Sequence, residues 1–109
     1  MSGGNQPVAE ADALALVLRV AGRLNEGWVH GIDVARGADA PVYGDGSALD
    51  SMGLVAFVIA VEQEVGDEWG RIVTLADERA MSLNYNPFRT AGDAARYLAA
   101  RLNDEVAPA

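Results

Sequence analysis

Apolar residues recur along this chain at helical spacing, and the pattern predicts four helices. In the first, from Val8 to about Asn25, Leu14, Val17, Leu18, Ala21 and Leu24 share one face, while Glu10, Asp12, Arg19 and Arg23 lie elsewhere. Asn25 and Gly27 end it. The second spans Ser51 to Val65, where Leu54, Val58, Val61 and Val65 stand at i, i+4, i+7 and i+11. Gly66 is expected to stop it, with Asp67-Glu68-Trp69-Gly70 as a loop and Arg71-Ile72-Val73 leading onward. A short third helix is expected near Leu75 to Met81, with Thr74 as its cap and Asp77-Glu78 in its first turn. Thr90 caps the last helix, with Asp93 three residues on, and Ala94, Tyr97, Leu98 and Leu102 form its buried stripe. The order is long, long, short, long: an all-α fold.

The segments between these helices add two features. The connection from Glu26 to Asp50 contains Gly27, Gly31, Gly37, Gly44, Gly46 and Pro41, together with the apolar residues Trp28, Val29, Ile32, Val34, Val42 and Leu49. A connection of that length is unusual in a compact domain. Its apolar members predict that it packs back over the helices, with a short helical turn near Asp33 to Ala35. The segment Ser82-Leu83-Asn84-Tyr85-Asn86-Pro87-Phe88-Arg89 is turn-forming, with Phe88 expected to pack on the bundle and Tyr85 to stay exposed. Residues 1–7 read as a flexible leader, 8–102 as one domain and 103–109 as a frayed tail.

Composition narrows the function classes. The 109 residues suffice for one modest core, and scarce aromatics favour helices packed through Ala, Leu and Val. Without cysteine there are no disulfides and no thiolate chemistry, which fits a reducing compartment. Sixteen acidic residues against eight basic ones, all arginine, leave a net charge of −8. Such a surface would be repelled by nucleic acid and steered toward basic patches on proteins. The longest apolar run, Leu54 to Val61, is eight residues, too short to span a membrane. A soluble, cytoplasmic monomer is the expectation.

Candidate chemistry is sparse. His30 is the one histidine, which disfavours a metal site, and the spacing of Asp45 and Asp50 does not fit a calcium loop. Trp28 and Trp69 suit loop anchors over the core. One histidine and no cysteine leave little from which to build an enzyme. The stretch Gly44-Asp45-Gly46-Ser47-Ala48-Leu49-Asp50-Ser51-Met52 is different. Asp50 can cap the second helix, and Ser51 at the first helical position sits beside the positive end of the helix dipole. The unpaired N–H groups there would stabilise an anion attached to that serine.

Asp50-Ser51-Met52, followed by an apolar helix ending in Val61-Glu62-Gln63-Glu64-Val65, resembles the acyl carrier protein family, over about Leu14 to Leu102. The resemblance implies an acyl-carrier-like four-helix bundle with a long first loop. It implies that Ser51 carries a 4′-phosphopantetheine arm, whose thiol bears acyl or aminoacyl groups as thioesters. A separate phosphopantetheinyl transferase would add the arm from coenzyme A, recognising Asp50 and Met52. Further partners would be an acyl- or aminoacyl-activating ligase and a downstream synthase or acyltransferase. The plain alternative is that Ser51 is only a helix-start residue.

The second helix departs from the fatty-acid carriers, whose exposed face is acidic. Here the outward positions are Gly53, Ala56, Ile59, Ala60 and Gln63, with acid only at Glu62 and Glu64. Together with Leu54 they form an expected partner surface of apolar character. Gly53 after the motif is similar to the D-alanyl carrier proteins, which suggests a specialised pathway. Two alternatives keep the helices and lose the arm: an unmodified helical adaptor, and a degenerate carrier-like domain.

Overall fold

The computed structural model describes residues 7–27, 31–44, 49, 51–75 and 87–106. Three long helices dominate: α1 (Glu10–Leu24), α2 (Ser51–Trp69) and α3 (Ala91–Val106). Short 3₁₀ turns cover Asn25–Gly27 and Val34–Asp39. No strand occurs among the described residues, where pairing is limited to two isolated bridges, Pro41 with Thr90 and Tyr43 with Leu49. The fold is a small all-α bundle with a long first connection, as the apolar spacing predicts. The expected short helix at Leu75 to Met81 lies, past Leu75, outside the described residues.

α1 is the common partner of the other helices. It packs against both α2 and α3, whereas no close backbone contact joins α2 to α3 among the described residues. This explains a correction to its predicted face. Ala13, Leu16, Val17, Val20 and Ala21 are buried, while Leu14, Leu18 and Leu24 pack only partly at the margin. A helix flanked on two sides buries a wider arc, centred between its two neighbours. Glu10 and Asp12 in the first turn and Arg23 in the last complement the helix dipole.

Asn25 turns the chain after α1. Its side-chain amide donates to the Ile32 carbonyl at 2.7 Å, and its Oδ1 accepts from the Ile32 N–H at 2.8 Å. A β-carbon at Gly31 would stand 2.3 Å from Asn25 Oδ1, so this fork needs glycine there. The connection packs back through Ile32, Val42 and Leu49 as predicted, joined by Ala40, whereas Val34 is exposed and Val29 lies outside the described residues. The expected helical turn appears as the 3₁₀ stretch Val34–Asp39.

α2 buries Phe57, Val58, Val61 and Val65, with Leu54 partly covered. It does not end at Gly66. The helix continues through Asp67 and Glu68 to Trp69, and Gly70, at φ 64, closes it with its N–H on the Gly66 carbonyl at 3.0 Å. A glycine within a helix costs only about 1 kcal/mol relative to alanine, and the half-buried indole of Trp69 recovers more than that. Trp69 is thus a helix residue packed on the core rather than a loop anchor. Beyond Gly70 the chain is extended, with Arg71, Val73 and Leu75 buried and Ile72 88% exposed. Arg71 Nη2 donates to the Leu102 carbonyl at 2.7 Å, near the negative end of α3.

Thr90 caps α3 as predicted, its Oγ1 accepting from the Asp93 N–H at 3.1 Å. The Asp93 carboxylate pairs with Arg96 and, at 3.6 Å, with Arg89. Ala91, Ala94, Ala95, Leu98, Ala99 and Leu102 are buried, and Tyr97 meets buried Phe88 edge-on at 5.7 Å. The helix runs past Leu102 to Val106, beyond the expected start of the tail. Asn103 takes part in the fold: its Oδ1 accepts from the Val8 N–H at 2.7 Å and its amide donates to the Val8 carbonyl at 3.1 Å. No helix among the described residues is long and apolar enough to cross a membrane.

Candidate functional site

The approach to α2 is built from backbone hydrogen bonds that the sequence does not advertise. Residues 40–43 run beside the residues that open α3. The Val42 N–H donates to the Arg89 carbonyl at 2.9 Å, the Tyr43 N–H to Phe88 at 3.1 Å, and the Ala91 N–H to Ala40 at 2.9 Å. On the other side, the Leu49 N–H donates to the Val42 carbonyl at 3.1 Å. Buried Ala40, Val42 and Leu49 side chains hold this ribbon on the core. Two residues after Leu49 α2 begins.

Ser51 is the first residue of α2, as the motif predicts. Asp50, together with Trp28, His30, Asp45 and Tyr85, lies outside the described residues. Met52, the second residue of α2, is 83% exposed. The first N–H groups of any helix lack an intrahelical partner, so this junction favours negative charge.

Beyond the junction, the predicted partner surface divides. Ala56 and Ile59 are exposed, Ile59 by 47%, and so is Gln63. Gly53 is half-buried, and Leu54 and Ala60 are half-buried against the core. Val55, not predicted, is 53% exposed. It stands three residues after Met52 and four before Ile59, so helical spacing alone could have placed it on this stripe. Met52, Val55, Ala56 and Ile59 therefore form an exposed apolar seam on a helix that is also apolar toward the core. An apolar helix normally has both faces covered.

The two acids expected on the outward face are turned to other work. Glu62 Oε2 accepts from the Leu75 N–H at 2.7 Å and so fixes the chain after α2. Glu64 is held by α1: Arg23 Nη2 donates to it at 2.6 Å and Arg19 Nε at 3.2 Å. The Arg23 hydrogen bond is the largest effect and lowers the Glu64 pKa below its ordinary 4.5; burial, next in size, opposes it, and the Arg19 hydrogen bond and the charges of both arginines add to the lowering. Arg19 also reaches Glu68 at 3.5 Å. Both acids lie outside the exposed seam, which has no charged residue from Met52 to Ile59.

A groove of about 220 Å³ opens between α1 and α2, floored by Val20, Leu24 and Ala60 and rimmed by Arg23, Gln63, Glu64 and Asp67. It lies about 13 Å along the helix from Ser51, given the rise of 1.5 Å per residue. No family model matches this chain, and no curated protein or solved structure matches it either.

Proposed function

We propose that this chain is a discrete acyl carrier protein and not itself an enzyme. The observation that carries the reading is Ser51 at the first position of a 19-residue helix, reached through a long connection in an all-α bundle. The exposure of Met52 beside it supports access for a phosphopantetheinyl transferase. Ser51 would hold the 4′-phosphopantetheine arm through a phosphodiester, with the positive end of α2 stabilising its charge. The arm would supply a thiol on which acyl or aminoacyl groups are carried as thioesters. Asp50 and Met52 serve recognition by the transferase, and the metal-assisted chemistry of attachment belongs to that enzyme.

The uncharged seam Met52, Val55, Ala56 and Ile59 supports partners that dock through apolar contact rather than an acidic face. Those partners are an acyl- or aminoacyl-activating ligase and a downstream synthase or acyltransferase of a specialised pathway. The carrier acts in the cytoplasm as a monomer. Incubation with coenzyme A and a broad-specificity transferase is expected to raise the intact mass by one phosphopantetheine, and the Ser51→Ala chain is expected to gain nothing. A folded wild-type chain that gains no mass overturns the proposal.

The same seam favours a second reading, an unmodified adaptor that binds one protein partner through α2. In that case partner capture survives Ser51→Ala and is lost with Val55→Glu. A degenerate carrier-like domain would likewise remain unmodified.

A further inference from the structure

Of the large apolar residues of α2, Met52 is the most exposed at 83%, against 53% for Val55 and 47% for Ile59. Helical spacing sets it in line with them: Val55 follows by three residues, Ala56 by four and Ile59 by seven. Its thioether therefore stands in water at the head of a seam that has no charged residue. The chain has no cysteine, so thioethers are the only sulfur it offers an oxidant. Of its three methionines, Met1 and Met81 lie outside the described residues.

Exposure decides what oxidation does at such a site. A buried methionine converted to its sulfoxide places a polar oxygen in the core and disrupts it. At Met52 the oxygen would project into solvent, where water bonds it, and the free chain would keep its fold. A cost arises only when a second surface covers the seam, because the oxygen must then exchange water for an apolar contact. From this we infer that Met52 is a reversible oxidation site, at which a hydroperoxide weakens docking on the apolar seam without loosening the bundle. The thioether sulfur attacks hydrogen peroxide, the O–O bond breaks and an S–O bond forms. Sulfur loses two electrons, and the peroxide is reduced to water. A thiol-dependent reductase returns the thioether, releasing the oxygen as water while two thiols join in a disulfide. The loss of docking rests on the carrier reading of the seam; the site and its neutrality toward the fold do not.

The test treats the full chain with dilute hydrogen peroxide before any phosphopantetheine is added, since the thiol of the arm would itself react. Peptide mapping is expected to find one added oxygen on Met52, and methionine sulfoxide reductase is expected to remove it. The melting temperature should stay within about 3 °C, as for other changes at an exposed position. Over the same treatment kcat/KM for phosphopantetheine transfer should fall by about tenfold and recover with the reductase. Met52→Leu, compared treated against untreated, should show no fall, because position 52 then holds no sulfur. Met52→Gln, a polar stand-in for the sulfoxide, should load as slowly as the oxidised chain without any peroxide. Unchanged kcat/KM in a chain oxidised at Met52 overturns the inference, as does an equal fall in treated Met52→Leu. A melting temperature lowered beyond that margin also overturns it, since the sulfur would then belong to the core. If the untreated wild-type chain accepts no phosphopantetheine, the carrier reading fails. Mapping and melting then still decide whether Met52 is oxidised with the fold intact.

Discussion

Arg23 Nη2 donates to Glu64 Oε1 at 2.6 Å and so joins the last turn of α1 to the second-to-last turn of α2. With Arg19 on the same carboxylate, two cations of one helix share one acid of the other. The Glu64 side chain is only 11% exposed, whereas both arginines remain largely in solvent.

A pH dependence follows. The Glu64 pKa is lowered in the folded chain, so its contribution to stability is complete above the ordinary value of 4.5 and is lost as pH falls through the lower folded value. The wild-type chain should lose more thermal stability than Glu64→Gln between pH 5 and the acid limit. At neutral pH the substitution is expected to cost about 1 kcal/mol, reduced by added salt, because the arginines are solvated. Melting curves across pH and ionic strength measure both effects.

Two glycines near the end of α2 predict opposite responses. Gly66 is inside the helix, and an added β-carbon would meet only the Arg71 carbonyl at 3.8 Å. Gly66→Ala should stabilise the chain by up to about 1 kcal/mol. Gly70 has φ 64, where a β-carbon is strained, and Gly70→Ala should destabilise by about 1–2 kcal/mol. Chemical denaturation of the two variants checks the sign of each change; equal effects would place the helix end elsewhere.

The seam on α2 separates binding from folding. Val55→Glu and Ile59→Glu put charge on positions 53% and 47% exposed, so stability should change by less than about 0.5 kcal/mol. Partner or transferase affinity should fall by tenfold or more, since the charge would enter an apolar contact. Val61→Glu, at a buried position, should instead prevent folding. Circular dichroism beside a loading or capture assay distinguishes the two outcomes.

Asn103 joins α3 to the chain before α1 through two hydrogen bonds with Val8. Asn103→Ala should cost about 1–2 kcal/mol, because it removes a donor and an acceptor together. Asn103→Asp keeps the acceptor and loses the donor to the Val8 carbonyl, and should cost about half as much. Equilibrium unfolding of the pair measures the ratio.

Much of this protein was legible in its sequence because the signals are local. Helical spacing located α1, α2 and α3; Thr90 announced its own helix start; and the loop-to-helix junction at Ser51 needed only a glycine-rich approach followed by an apolar run. The apolar residues of the first connection predicted its burial. The tertiary structure decided whatever depended on distant neighbours. Whether Gly66 ends α2 depends on what Trp69 gains by packing on the core. Which arc of α1 is buried depends on its having two neighbours rather than one. Glu62 and Glu64 read as outward acids until a Leu75 N–H and two arginines, respectively, are brought to them. The backbone pairing of the ribbon from Ala40 to Tyr43 leaves no side-chain signature, because its bonds run between groups that every residue carries. Periodicity reports which face a residue is on; only the assembled fold determines what stands opposite it.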